Sequence, residues 1–172
     1  MSQYSGMASG RNTKVTGATG EYLVAAELSR RGLIATTFTG NVPDYDIVAT
    51  DSEFRSVLVQ VKAISGTSWQ FDFRRFAEVT LEGKRQVYQR PMKMKRDIIC
   101  VMVALGDYGS DRFYVLRWTD LRKIIIKGHR AYLDRHNGIR PKKFDSFHCA
   151  LQEQALVDYR DNWDLVHEML SE

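Results

Sequence analysis

After Asp97 the chain reads IICVMVAL, residues 98–105, a run of apolar side chains without a break. A surface helix, or a strand with one wet face, would interrupt such a run with polar residues. A strand covered on both faces would not. The fold therefore has to supply a layer on each side of this segment. A single domain suffices, since 172 residues, 44% of them hydrophobic, suit one core of ordinary size. No apolar stretch approaches the roughly 20 residues of a membrane helix, and the polar N-terminus lacks the apolar centre of a secretion signal.

Around that strand, periodicity predicts alternating helix and strand. Residues 17–32, GATGEYLVAAELSRRG, are expected to be a helix, with Thr16 or Thr19 as its cap and Gly32 at the left-handed position past its end. Residues 33–39 form a first strand, and 45–50 and 55–63 two more, joined by a tight turn. SWQFDF, 68–73, continues the sheet. The mixed, basic stretch 76–96 is expected to contain a helix broken near Pro91. RFYVLRW, 112–118, is another strand, and Thr119 or Asp120 caps a helix over 120–128. The rest reads as loops and a final helix around 161–171. This order implies an α/β domain with a mixed sheet. Residues 1–16 are read as a flexible arm. Residues 17–172 are read as one domain, with a core over about 17–118 and a helical, acidic extension over about 119–172.

The charge is unevenly spread. Residues 145–172 carry seven acids against Arg160 alone, while the whole chain stands at +4. The body before them is distinctly basic, which suits a polyanion such as nucleic acid; a solvated surface paired with the acidic tail fits the composition equally well. The stretch KRQVYQRPMKMKR, 84–96, holds Lys84, Arg85, Arg90, Lys93, Lys95 and Arg96 without an acid. Phosphate contacts from such residues give affinity but no choice of sequence. Cys100 and Cys149 belong to no CxxC or CxxH pair, so a structural zinc is not expected, and a reduced, cytoplasmic protein is the simplest reading. His129, His136, His148 and His167 have no short ligand spacing.

The chemistry is concentrated in PDYDIVATDSEFRSVLVQVKA, residues 43–63. Strand alternation puts Val57, Val59 and Val61 on one face and Leu58, Gln60 and Lys62 on the other; Asp44, Asp46 and Val48 share a face of the preceding strand. One register allowed by a turn at DSEF sets Asp46 opposite Gln60 and Asp44 opposite Lys62. A wet hairpin face with an Asp44–Lys62 pair explains the same pattern. On the first helix, Glu21, Val24, Ala25 and Leu28 fall on one stripe, with Glu21 at its N-terminal end, where the helix dipole alone favours an acid.

In order, a helix with GE near its start, a strand, YDIVA, a hairpin and VLVQVKA resemble the PD-(D/E)XK nuclease superfamily. The likeness is to its Holliday junction resolvase and type IV restriction nuclease branch, and it spans about residues 17–105. It implies the restriction endonuclease-like fold, an αβββαβ core with a mixed central sheet flanked by helices. It further implies that Asp46 is the metal-binding aspartate, that Gln60 stands at the acidic position of (D/E)XK, that Lys62 is the lysine and that Glu21 is the helix glutamate. The family usually has Glu or Asp where this chain has Gln60. Its amide oxygen is a neutral ligand, which leaves Glu21 to supply charge or leaves a degenerate member that binds without cutting. Asp44 is the alternate ligand.

The activity implied is an endonuclease reaction, hydrolysis of DNA phosphodiesters dependent on Mg²⁺ or Mn²⁺. Asp46, Gln60, Glu21 and the Val61 carbonyl would surround the ion, and Lys62 would meet the scissile phosphate and the attacking water. The implied partner is DNA, branched or modified DNA included, and no membrane is expected. Such folds often dimerise to cut two strands, so a homodimer is carried as an expectation without an identified interface. The alternative is a non-catalytic nucleic-acid-binding or protein-interaction module on the same fold.

Overall fold

The computed structural model describes residues 10–38, 44–93 and 97–172. Within the apolar run, Ile99–Ala104 forms a strand, β7, that is buried at every position. It lies inside a five-stranded sheet with β1 (Ile34–Thr37), β2 (Ile47–Thr50), β3 (Ser56–Ile64) and β8 (Arg112–Arg117), in the order β1-β2-β3-β7-β8. β3 and β7 run parallel and every other neighbouring pair is antiparallel, so the sheet is mixed, as expected.

Alternation divides β7 between two cores. Ile99, Val101 and Val103 join Val57, Val59, Ile47 and Ala49 beneath α1 (Gly10–Arg30) and α3 (Asp164–Leu170), which contribute Val24, Leu28, Leu165 and Val166. Cys100, Met102 and Ala104 face the opposite layer, where Trp69, Phe71, Phe73, Leu151, Leu121 and Ile125 pack. That layer is built from β4 (Ser68–Asp72), β9 (His148–Gln152), a short 3₁₀ turn at Phe73–Arg75 and α2 (Trp118–Asp134). Helices thus flank a mixed sheet, and no helix among the described residues is long and apolar enough to cross a membrane.

Several sequence expectations are corrected. The first helix starts at Gly10, not near residue 17, and Thr19 lies inside it, donating its hydroxyl back to the Val15 carbonyl at 2.8 Å. Once residues 20–30 are packed and nucleated, each further turn toward the N-terminus adds hydrogen bonds at little cost, so a polar segment can follow. Residues 10–16 of the expected arm are therefore helical, and residues 1–9 lie outside the described residues. Gly32 does close the helix in the left-handed region, at φ +84°.

SWQFDF does not continue the central sheet. β4 pairs instead with β9, from the acidic segment read as loops, and the two lie across the sheet face. In place of a helix near Pro91, β5 (Ala77–Glu82) and β6 (Arg85–Pro91) form a hairpin, with Gly83 at φ +60° in a two-residue turn. The described part of the crossover from β3 to β7 is therefore built of strands and one short 3₁₀ turn, without an α-helix. α2 is not capped by Thr119 or Asp120. Asp97, ahead of β7, accepts from the Thr119 N–H at 3.2 Å and its hydroxyl at 2.8 Å. The acidic segment packs on the body, with Glu153 on Arg112 and Glu172 on Arg117.

Candidate active site

The site forms where β2 and β3 part. The register pairs Ile47 with Val59 and Val48 with Leu58, so one step further Asp46 comes opposite Gln60. Asp46 precedes β2. Its N–H donates to the Val59 carbonyl at 2.9 Å, and its carboxylate oxygen Oδ2 accepts the Val61 N–H at 2.7 Å. The carboxylate thus takes over a backbone partner where the ladder ends. One oxygen is engaged, and the side chain is held on the same sheet face as Gln60 and Lys62, both half-buried. Val61 itself points to the α1 layer, and its stretch of β3 lies in register with Val101 of β7.

Lys62 lies with Nζ 4.8 Å from the centre of the Phe71 ring, and its carbonyl accepts the Trp69 indole N–H at 2.8 Å. Glu21 comes from α1. Close approach at Gly20 allows this, because a Cβ built there would lie 2.4 Å from the Cβ of Ala63 on β3. Burial raises the Asp46 carboxyl above its ordinary range, against the lowering effects of the Val61 N–H, Arg75 and Lys62. Glu21 is raised as well, by burial first and then by the charge of Asp46. Lys62 is lowered by burial and by Arg75, with Asp46 opposing.

Arg75 was not legible as a site residue. It stands in the 3₁₀ turn, and its charge reaches both Asp46 and Lys62. It also lines, with Lys62, a cleft of about 530 Å³ that runs past Gln70 and Asp72 to Ser146 and His148. The one local signal is the spacing in FRRF, residues 73–76, where buried Phe73 and Phe76 bracket two exposed arginines.

Asp44, the alternate ligand, stands two residues ahead of Asp46, at the start of the described segment 44–93. It is exposed, adopts φ +74° and makes no ion pair with Lys62 among the described residues. The candidate nucleic-acid residues lie elsewhere. Lys84 and Arg85 sit at the β5–β6 turn, Lys84 over the Phe144 ring and Arg85 against Gly138. Arg90 pairs with Glu78 at 2.8 Å, Lys93 is exposed beyond β6, and Lys95 and Arg96 lie outside the described residues. None of the described four lines the cleft at Lys62.

Among the described residues no group of three or more His, Cys, Asp and Glu side chains is placed to hold a metal ion. The donors present are the carboxylates of Glu21 and Asp46 and the amide oxygen of Gln60. Two carboxylates that burial makes costly to ionise, beside a neutral oxygen, suit a hard cation that keeps several waters.

No family model matches the chain, and no curated protein matches it. Among solved structures it is similar to a bacterial homing endonuclease, I-Ssp6803I, at 18% identity and a TM-score of 0.47, over 92% of this chain and 94% of that one.

Proposed function

We propose that the chain is a metal-dependent DNA endonuclease of PD-(D/E)XK type, with Gln60 at the acidic position. The observation carrying this reading is the β2–β3 register, with Asp46 beside Gln60 and Lys62 on one face and Glu21 close by. Asp46, Glu21 and Gln60 would hold the ion. When bound, it supplies neutralisation of the phosphate and a more acidic water. Asp46 presents one fixed carboxylate oxygen, because the Val61 N–H secures the other. Lys62 offers its ammonium to a phosphate oxygen from a half-buried position, where water screens it less than at the surface. Gln60 adds an oxygen without adding charge, so the site carries less negative charge toward an anionic substrate.

Supercoiled plasmid and four-way junction DNA, incubated with Mg²⁺ or Mn²⁺, test the proposal. The wild type should nick or cut, and Asp46→Ala and Lys62→Ala should each abolish it. Metal-dependent cutting that survives both substitutions would remove these residues from the reaction. The neutral Gln60 and the lack of a three-carboxylate group among the described residues favour a second reading, a module that binds DNA without cleaving it. DNA binding by the wild type, with no product under either metal, would select that one.

A further inference from the structure

We propose that Arg75 grips the scissile phosphodiester from the cleft it shares with Lys62, as the second cation of the site. The inference rests on the nuclease reading above and adds a residue to it. Arg75 differs from its neighbours in its partners, although its charge also acts on Asp72 in the same turn. Arg74 pairs with Asp72 and lies over the Phe147 ring; Arg112 pairs with Glu153, Arg117 with Glu172, and Arg140 bonds the carbonyls of Ser146 and His148. Arg75 is exposed, yet none of the described residues forms a hydrogen bond or ion pair with its guanidinium. An unpaired guanidinium on a loose loop would mean little. This one stands on a fixed turn.

Three contacts lock that turn. The Phe73 N–H donates to the Phe147 carbonyl at 2.7 Å, the Phe76 N–H to the Phe73 carbonyl at 2.9 Å, and the Arg74 N–H to Asp72 at 3.0 Å. Phe73 and Phe76, 0% and 2% exposed, anchor it in the core on either side. The backbone therefore presents Arg75 to the cleft it shares with Lys62 at little further cost in backbone entropy.

The chemistry explains what such a residue supplies. Attack of water on a phosphodiester forms a new P–O bond, gives the water's proton up to solvent, breaks the bond to the leaving oxygen, which takes a proton from solvent, and builds negative charge on the equatorial oxygens between those events. Lys62 is a point charge and already lies against the Phe71 ring. A guanidinium offers parallel N–H donors to two phosphate oxygens, which an ammonium cannot match. With Gln60 neutral, Glu21 and Asp46 are balanced by Lys62 and Arg75, so a bound divalent ion leaves the site net positive toward the phosphate.

The test separates binding from cleavage. Affinity for a DNA duplex is measured in EDTA over a range of salt, for wild type, Arg75→Ala and Arg75→Lys, with Arg55→Ala as a remote control. Single-turnover cleavage with Mg²⁺ is measured alongside. Arg75→Ala should weaken metal-free binding and reduce the salt slope by about one. It should also slow cleavage by about 10²–10³-fold, the usual cost of losing one donor to developing charge. Arg75→Lys should restore the salt slope but not the rate. Arg55→Ala should match wild type in the rate. Wild-type binding and cleavage by Arg75→Ala would overturn the inference while leaving the nuclease reading intact. If the wild type binds but never cuts, the nuclease reading fails, and an unchanged salt slope in Arg75→Ala then overturns the phosphate grip too. If the wild type does not bind DNA, both fall.

Discussion

Acid should weaken this protein through one buried imidazole. His129 on α2 is 4% exposed, and its ring centre lies 4.0 Å from that of Phe73. Its Nε2 is 3.2 Å from Oε1 of Gln86, whose own amide NH₂ donates to the carbonyls of Phe144 and Ser146, each at 2.8 Å. Because the Gln86 nitrogen is committed to two acceptors, its oxygen faces the histidine, and neutral His129 donates from Nε2. Burial, with the Arg140 cation adding to it, pushes His129 from 6.5 down to about 4.

The sign follows from linkage. Between those values the unfolded chain binds the proton and the folded one does not, so stability rises with pH across the window. It is complete above about 6.5 and is lost as pH falls toward about 4. At roughly 1.4 kcal/mol per pH unit the loss is about 2–3 kcal/mol, allowing for some solvent screening of the buried ring. His129→Phe keeps the stack on Phe73 and removes the titration, at the cost of an unsatisfied Gln86 oxygen, about 1–3 kcal/mol. Urea unfolding of both proteins from pH 7.5 to 4.5 is the assay. The variant should be less stable at pH 7.5, and the gap should close or reverse by pH 4.5, because carboxylate titrations common to both cancel. A gap that stays constant would refute the neutral buried histidine. The consequence reaches the site, because Ser146 and its neighbours form one wall of the cleft at Lys62.

Gly20→Ala should destabilise by about 1–2 kcal/mol in thermal unfolding despite the better helix residue, because overpacking against Ala63 outweighs the propensity gain; adding Ala63→Gly should recover most of it. Asp46→Asn keeps an oxygen for the Val61 N–H, whereas Asp46→Ala leaves that donor unpaired. Both should lose cleavage, but only the alanine variant should lose about 1–3 kcal/mol in urea unfolding. Gln60→Glu should lower the melting temperature without metal, by adding a third carboxylate beside Asp46, and should enlarge the rise on adding Mg²⁺; equal Mg²⁺ shifts in both proteins would argue against Gln60 as a ligand. Burial raises both thiols, Cys149 to about 12, so Cys100 and Cys149 should resist a thiol reagent at pH 8 until denaturant is added.

How far the sequence could be read depends on the range of the interactions involved. Asp46, Gln60 and Lys62 lie on one hairpin, where Ile47 and Ala49 on one strand and Val57, Val59 and Val61 on the other must face one core, and a slip of one residue would turn a whole strand's set outward. Local alternation therefore fixes their common face. Glu21 needs one more contact, the approach of α1 to β3, and a glycine just before it hints at that contact without proving it. Arg75 needs more again. Its turn is held by Phe147, and β4 is held by β9, partners that lie more than seventy residues on and carry no local signal in the sequence around Arg75. The cap of α2 by Asp97 is remote in the same way. The hairpin at β5–β6 differs, because its partners are local. Its alternation around Gly83 is present in the sequence, in a stretch whose mixed, basic composition suits a helix as well. Lys84, Arg85 and Arg90 belong to that basic stretch, and Arg90 is paired with Glu78. An arginine with a local partner is less free to bind phosphate than one on a fixed turn with no ion-pair partner among the described residues. By that criterion the cation to test first is Arg75, one that composition could not single out.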